Sequence, residues 1–84
     1  EDVELTALVG NVALLDGAPF PHLHATLGRR DFSTLGGHLF SGNASATVEM
    51  SVLRFSGVRL ERTRDEAVGL NLWSLPQRFD PAAG

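Results

Sequence analysis

The chain has 84 residues, a formal net charge of -3, 43% apolar and 20% charged residues, and no cysteine. That length allows one domain at most, the composition is that of a folded chain rather than a disordered one, and disulfide staples and cysteine-based metal knots are excluded. An acidic balance is a poor electrostatic match for DNA, whose binding rests largely on phosphate neutralisation, and no apolar run is long enough to span a bilayer.

In chain order, residues 3–15 open with clear alternation: Val3, Leu5, Ala7 and Val9 on one side, Glu4 and Thr6 on the other. This predicts a strand, with a bulge or bend at Gly10-Asn11. Asp16-Gly17-Ala18-Pro19 reads as a turn, because Asp-Gly supplies special dihedral angles and proline cannot extend a ladder. Residues 20–27 form a second predicted strand, with Leu23, Ala25 and Leu27 on one face and His22, His24 and Thr26 on the other. Gly28 to Asp31 is a polar turn, and residues 32–40 are an extended segment in which Gly36-Gly37 allows a close backbone approach. After a turn at Ser41-Gly42-Asn43, residues 44–55 are the longest strand candidate. Ala46, Val48, Met50 and Val52 lie on its apolar face, and Thr47, Glu49 and Ser51 on its polar face. A short alternating strand at 58–62, a charged loop or single turn at 64–69, an apolar stretch with Leu70, Leu72 and Trp73, and a frayed tail from Pro76 complete the reading.

The expected organisation is a single domain over residues 1–84, with its core within 3–75 and the tail at 76–84. Four or five strands with almost no helix leave one sheet face short of cover, so a further helix or another subunit is needed. The chain opens on Glu1 rather than methionine and reads as a piece of something longer. No signal peptide opens it, and the cytoplasm is the expected location.

The chemistry concentrates in three histidines. His22 and His24 are two apart on a strand and so project to one face. A neighbouring strand carrying His38 brings a third nitrogen, and Gly36-Gly37 leaves room beside it. Three imidazoles with an open fourth position suit a catalytic zinc, which polarises carbonyls or lowers the pKa of bound water. The competing reading is a set of packed or surface histidines with ordinary hydrogen bonds. Glu49, on the polar face of its predicted strand, is a candidate supporting carboxylate, against a solvated or ion-paired side chain. Arg54, Arg59 and Arg62, with Arg64, make a basic stretch among Glu61, Asp65 and Glu66. It reads as a salt-bridged exposed edge that discourages stray strand pairing, or as an anion-binding rim. Trp73 reads as a core anchor. No nucleophile elbow and no phosphate-binding glycine loop is present.

The run Leu5 to Leu14 followed by Pro21-His22-Leu23-His24-Ala25, then Gly36-Gly37-His38-Leu39, resembles the plants-and-prokaryotes-conserved (PPC) domain family. Ala46-Thr47-Val48-Glu49 and Arg64-Asp65-Glu66 with Gly69-Leu70-Asn71 follow in the same order, so that the resemblance covers residues 3 to 75. It implies an α+β fold, with a mixed, mainly antiparallel β-sheet and little helix, assembled as a homotrimer. In plant members the domain follows AT-hooks that bind A/T-rich DNA, whereas stand-alone prokaryotic members lack a settled function. Some members hold a metal on histidines corresponding to His22, His24 and His38. The fold is also similar to acetolactate decarboxylase, whose zinc sits on three histidines, a likeness that does not transfer activity. Two departures stand out: the family's N-terminal strand–helix–strand block is missing from this chain, and no Arg-Gly-Arg-Pro hook is present.

The resulting expectation is a stand-alone, homotrimeric interaction module with one divalent metal, zinc by donor type, on His22, His24 and His38. DNA association follows from the family label but is not supported by charge or by a hook. The alternative is a metal-dependent enzyme or binding protein for a small carbonyl or carboxylate compound, and enzyme status stays open.

Overall fold

The computed structural model describes residues 1–75 and a two-residue strand at 78–79. Among the described residues there are strands and no helix: β1 (Glu4–Leu15), β2 (Ala18–Gly28), β3 (Thr34–His38), β4 (Val58–Arg59), β5 (Glu61–Asp65), β6 (Leu70–Trp73) and β7 (Arg78–Phe79). The chain divides into two compact units. The first comprises Glu1–Asn11 and Pro21–Met50, and the second comprises Val12–Phe20 and the chain from Ser51 onward. β1 and β2 run through both. They are joined at Asp16-Gly17, where φ is 52° and 78°. Two consecutive positive φ values define the two-residue turn whose twist matches the flanking strands, and Asp-Gly is among the pairs best suited to it. Pro19, expected in the turn, lies instead within β2. Proline is tolerated there because β3 pairs only with residues 24–28 of β2, leaving one side of the proline stretch open.

In the first unit the hydrogen-bonded order is β3-β2-β1. β2 and β3 are antiparallel, in the register His24↔His38, Ala25↔Gly37, Thr26↔Gly36, Leu27↔Leu35 and Gly28↔Thr34. The Thr6 hydroxyl donates to the Thr26 carbonyl at 2.9 Å across β1 and β2. Arg29 to Ser33 close the β2–β3 connection: Arg29 N–H donates to the Ser33 carbonyl (2.9 Å) and Phe32 N–H to the Arg29 carbonyl (3.0 Å). Phe32 takes φ 69°, a left-handed conformation that bulky side chains rarely adopt. Ala25 is the buried apolar side chain of this unit.

The strand expected at residues 44–55 does not form. Residues 41–56 carry no regular structure and are exposed throughout. Alternation creates a strand only where a neighbour accepts its backbone groups and covers its apolar side, and among the described residues this segment has neither.

In the second unit the order is β1-β5-β6. β1 and β5 are parallel (Leu14↔Glu61, Leu15↔Arg62). β5 and β6 are antiparallel, with Arg62 opposite Trp73 and Asp65 opposite Leu70. The sheet is therefore mixed, in agreement with the sequence. The strand predicted over 58–62 is divided at Leu60, whose carbonyl accepts the Leu14 N–H at 2.8 Å. The apolar stretch expected to dock on the sheet is itself the strand β6. Between β5 and β6, Gly69 (φ 70°) donates its N–H to the Asp65 carbonyl at 2.8 Å. The Asp65 carboxylate accepts the Ala67 N–H at 2.9 Å. β4 pairs antiparallel with β7; residues 76–77 and 80–84 of the tail expected to fray lie outside the described residues.

Burial is sparse. Among the described residues Ala13 and Ala25 are the buried apolar ones, whereas Val9, Val12, Met50, Val52, Leu53 and Phe55 are exposed. No helix among the described residues is long and apolar enough to cross a membrane.

Candidate metal centre

β2 delivers His22 and His24 to one face by the two-residue period of a strand. His38 is the last residue of β3 and sits directly opposite His24 in the ladder. The ladder continues one bond further, from Leu39 N–H to the Leu23 carbonyl at 2.9 Å, so His38 is held between two fixed points. The three rings form a close triangle, with centroid separations of 5.1 Å (His22–His24), 5.4 Å (His22–His38) and 4.2 Å (His24–His38).

One ring nitrogen from each histidine lies within 4.8 Å of the others. The Nε2 atoms of His22 and His24 are 3.3 Å apart. Zinc–nitrogen bonds of 2.0–2.1 Å in tetrahedral geometry place neighbouring nitrogens about 3.3–3.4 Å apart. The His22–His24 pair thus already stands at the ligand spacing, and the donor set fits the ion. The same 3.3 Å serves a ring-to-ring hydrogen bond when one nitrogen carries a proton and the other does not. His22 is half-buried, and His24 and His38 are exposed.

Two neighbours of the cluster escaped the sequence reading. Gly10 of β1, read as a bulge or bend, is where backbones approach closely: a Cβ there would collide with the His22 carbonyl oxygen and come within 2.8 Å of Leu23 Cα. At Gly36 and Gly37, where the close approach was expected, an added Cβ meets an ordinary 3.6 Å contact and open space respectively. The β1–β2 spacing at the site therefore depends on Gly10. Phe40 is the second neighbour; its ring stacks on His38 at 6.1 Å.

The other candidate residues fall elsewhere. Glu49 is exposed in the irregular segment and is not among the side chains that meet at the three imidazoles. Without a ladder through residues 44–55, nothing fixes its direction. Arg54 is exposed in the same segment. Arg59 donates to Glu61 at 2.6 Å on the surface. Arg62 was expected on an exposed rim but is buried (8% accessible). Its guanidinium donates to the Asn71 carbonyl at 2.9 Å and lies over the Trp73 ring at 4.0 Å. A delocalised, weakly hydrated cation stacks on an aromatic face more readily than an ammonium, which is why this charge tolerates burial. In the β2–β3 loop, hydrogen bonds from the Ser33 hydroxyl and then the Ser33 N–H hold the Asp31 carboxyl below the usual aspartate range.

A small mixed β-sheet with three imidazoles converging at one strand end is the class of structure these observations define. The chain belongs to the Plants and Prokaryotes Conserved (PCC) domain family, the family resembled in sequence, whose sequence model matches residues 1–56. It is also similar to a crystal structure of a protein from Bacteroides thetaiotaomicron whose name provisionally ascribes DNA binding to it. The two are 29% identical, with a TM-score of 0.62 over 86% of this chain and 51% of that one. The chain thus spans about half the length of that protein. No curated protein matches the chain significantly.

Proposed function

We propose that the chain is part of a homotrimeric interaction module in which His22, His24 and His38 hold one divalent ion, zinc by the softness and number of its nitrogen donors. The observation that carries the reading is the meeting of three ring nitrogens within 4.8 Å at the end of the β2–β3 ladder. Such an ion polarises a bound carbonyl or acidifies a bound water. The reading includes the α+β architecture of the family, with a further strand–helix–strand block covering apolar residues such as Val9 and Val12. The exposure of those residues and the 51% share of the Bacteroides protein both support it. The proposed location is the cytoplasm. DNA association, suggested by the name of that protein, is assigned to a partner, because this chain carries a net charge of -3.

A second reading, a metal-dependent enzyme or binding protein for a small carbonyl or carboxylate compound, draws on the exposure of His24 and His38, which leaves the ion's outer side accessible to a ligand.

Elemental analysis of the purified full-length protein beside its His24→Ala variant tests the ion. One equivalent of metal that disappears in the variant is expected, and metal-free native protein after growth in zinc would overturn the proposal. Light scattering on the same samples tests the trimer.

A further inference from the structure

Gly36 stands in the middle of β3 for no reason that the strand itself supplies. It is not one of the glycines with a positive φ. An added Cβ would meet only ordinary contacts, with the Ala25 carbonyl at 3.6 Å and Thr26 Oγ1 at 3.9 Å. Glycine weakens a strand interior relative to alanine, through chain entropy and the missing side chain. Neither conformation nor packing among the described residues offsets that cost. The other known cause of a strand glycine is a ligand or a further backbone that comes close to it.

The register fixes the face on which this space opens. Directly opposed residues of an antiparallel pair share a face, and so do residues two apart along one strand. Gly36 is opposite Thr26, and His38 is opposite His24. The bare position therefore adjoins the imidazoles, whereas Gly37, opposite Ala25, belongs to the reverse face. The space over Gly36 has the three-histidine cluster at one end and the half-buried Thr26 at its side. The Thr6 hydroxyl bonds to the Thr26 carbonyl, and among the described residues the Thr26 hydroxyl itself has no hydrogen-bond partner.

These groups define the chemistry of an occupant. Three neutral imidazoles leave a divalent ion both of its charges, which an anionic oxygen donor balances. The Thr26 hydroxyl both donates and accepts, so it recognises a second oxygen. One step of two residues along a strand is about 6.6–6.8 Å, a span that a short carbon chain bridges. We propose that the space over Gly36 is a subsite for a small carboxylate bearing a second oxygen function, with one end on the ion held by His22, His24 and His38 and the other hydrogen-bonded to Thr26. The inference rests on the metal site proposed above and gives its second reading a specific contact.

Zinc-loaded full-length protein is titrated calorimetrically with succinate and with butyrate, which share a carbon chain length and differ in the second carboxylate. A hydrogen bond to a charged group is worth a factor of about ten or more, so succinate is expected to bind at least about tenfold more tightly than butyrate. Thr26→Val keeps the shape, removes the hydroxyl and is expected to reduce that preference to less than about threefold. Gly36→Ala fills the space and lowers succinate affinity about tenfold or more, whereas Gly37→Ala, on the reverse face, leaves it within about twofold. Equal affinity for the two anions, or a preference that survives Thr26→Val, overturns the inference. So does an equal effect of the two alanine variants. A Gly36→Ala protein that binds succinate normally but loses stability or changes its oligomeric state shows that another protein backbone fills the space, and also overturns it. Metal content measured in parallel separates the two proposals: loaded protein without the succinate preference sinks the subsite alone, and protein that takes up no metal sinks both.

Discussion

His24 and His38 face one another as cross-strand partners, with ring centroids 4.2 Å apart, while His24 also places its Nε2 3.3 Å from that of His22. His24 is the hub of the cluster. Loss of an outer-sphere partner typically weakens a metal site 10–100-fold, and loss of a ligand exceeds this, so His24→Ala lowers zinc affinity by more than about 100-fold. If the three imidazoles hold zinc as proposed, zinc at a hundred times its dissociation constant adds about 2.7 kcal/mol to the folding stability of the native protein. A thermal shift on zinc addition that His24→Ala abolishes is the expected outcome, and an equal shift in both proteins contradicts it. Acid reverses the shift, because protons compete for the nitrogen lone pairs.

Gly10→Ala tests the close approach of β1 to β2. Its methyl group would push against the His22 carbonyl and Leu23 Cα, both backbone, so β2 must move. Overpacking of this kind costs about 1–3 kcal/mol. Because the displaced residue is itself a candidate ligand, zinc affinity falls with stability. Denaturant titration and zinc titration of the same variant check both effects; a variant of native stability shows that the strands are not so close.

Phe32 combines a left-handed backbone with 95% exposure. Little packing is lost when its ring is removed, whereas a non-glycine residue in this conformation costs about 1–2 kcal/mol, part of which glycine returns as chain entropy. Phe32→Gly is therefore expected to stabilise the chain by roughly 0.5–1 kcal/mol, measured by chemical denaturation. Marked destabilisation would show that the ring is covered in the native assembly.

Asp31 gives the loop a dependence on acidity. Its folded pKa is depressed by Ser33, so its contribution to stability is present above the unfolded aspartate value of about 3.9 and disappears as pH falls through the lower folded value. Asp31→Asn is expected to speed amide exchange at Ser33 at neutral pH, with the difference from the native chain vanishing in strong acid. A difference that persists unchanged in acid contradicts the assignment.

Much of the β1–β2 hairpin was legible because its signals are local. Period-two alternation gave β1 and β2, Asp16-Gly17 marked their turn, and strand parity put His22 and His24 on one side. Whether His38 joins them depends on register, which lies in the pairing of two strands and not in the spacing of three residues. Residues 44–55 were misread because alternation records what a segment can bury, not whether anything is there to cover it. Arg62 was misread because its charge argues for water, and only the β5–β6 register reveals Trp73 opposite it. Gly10 looked like an interruption within its own strand; its role becomes visible only beside His22.

The stacking of Arg62 on Trp73 has a practical corollary. Trp73 is the chain's one tryptophan and belongs to the second unit, whereas the imidazoles belong to the first. Its intrinsic fluorescence is a built-in gauge of whether β5 and β6 remain zipped, because the indole lies under the Arg62 guanidinium only while that register holds.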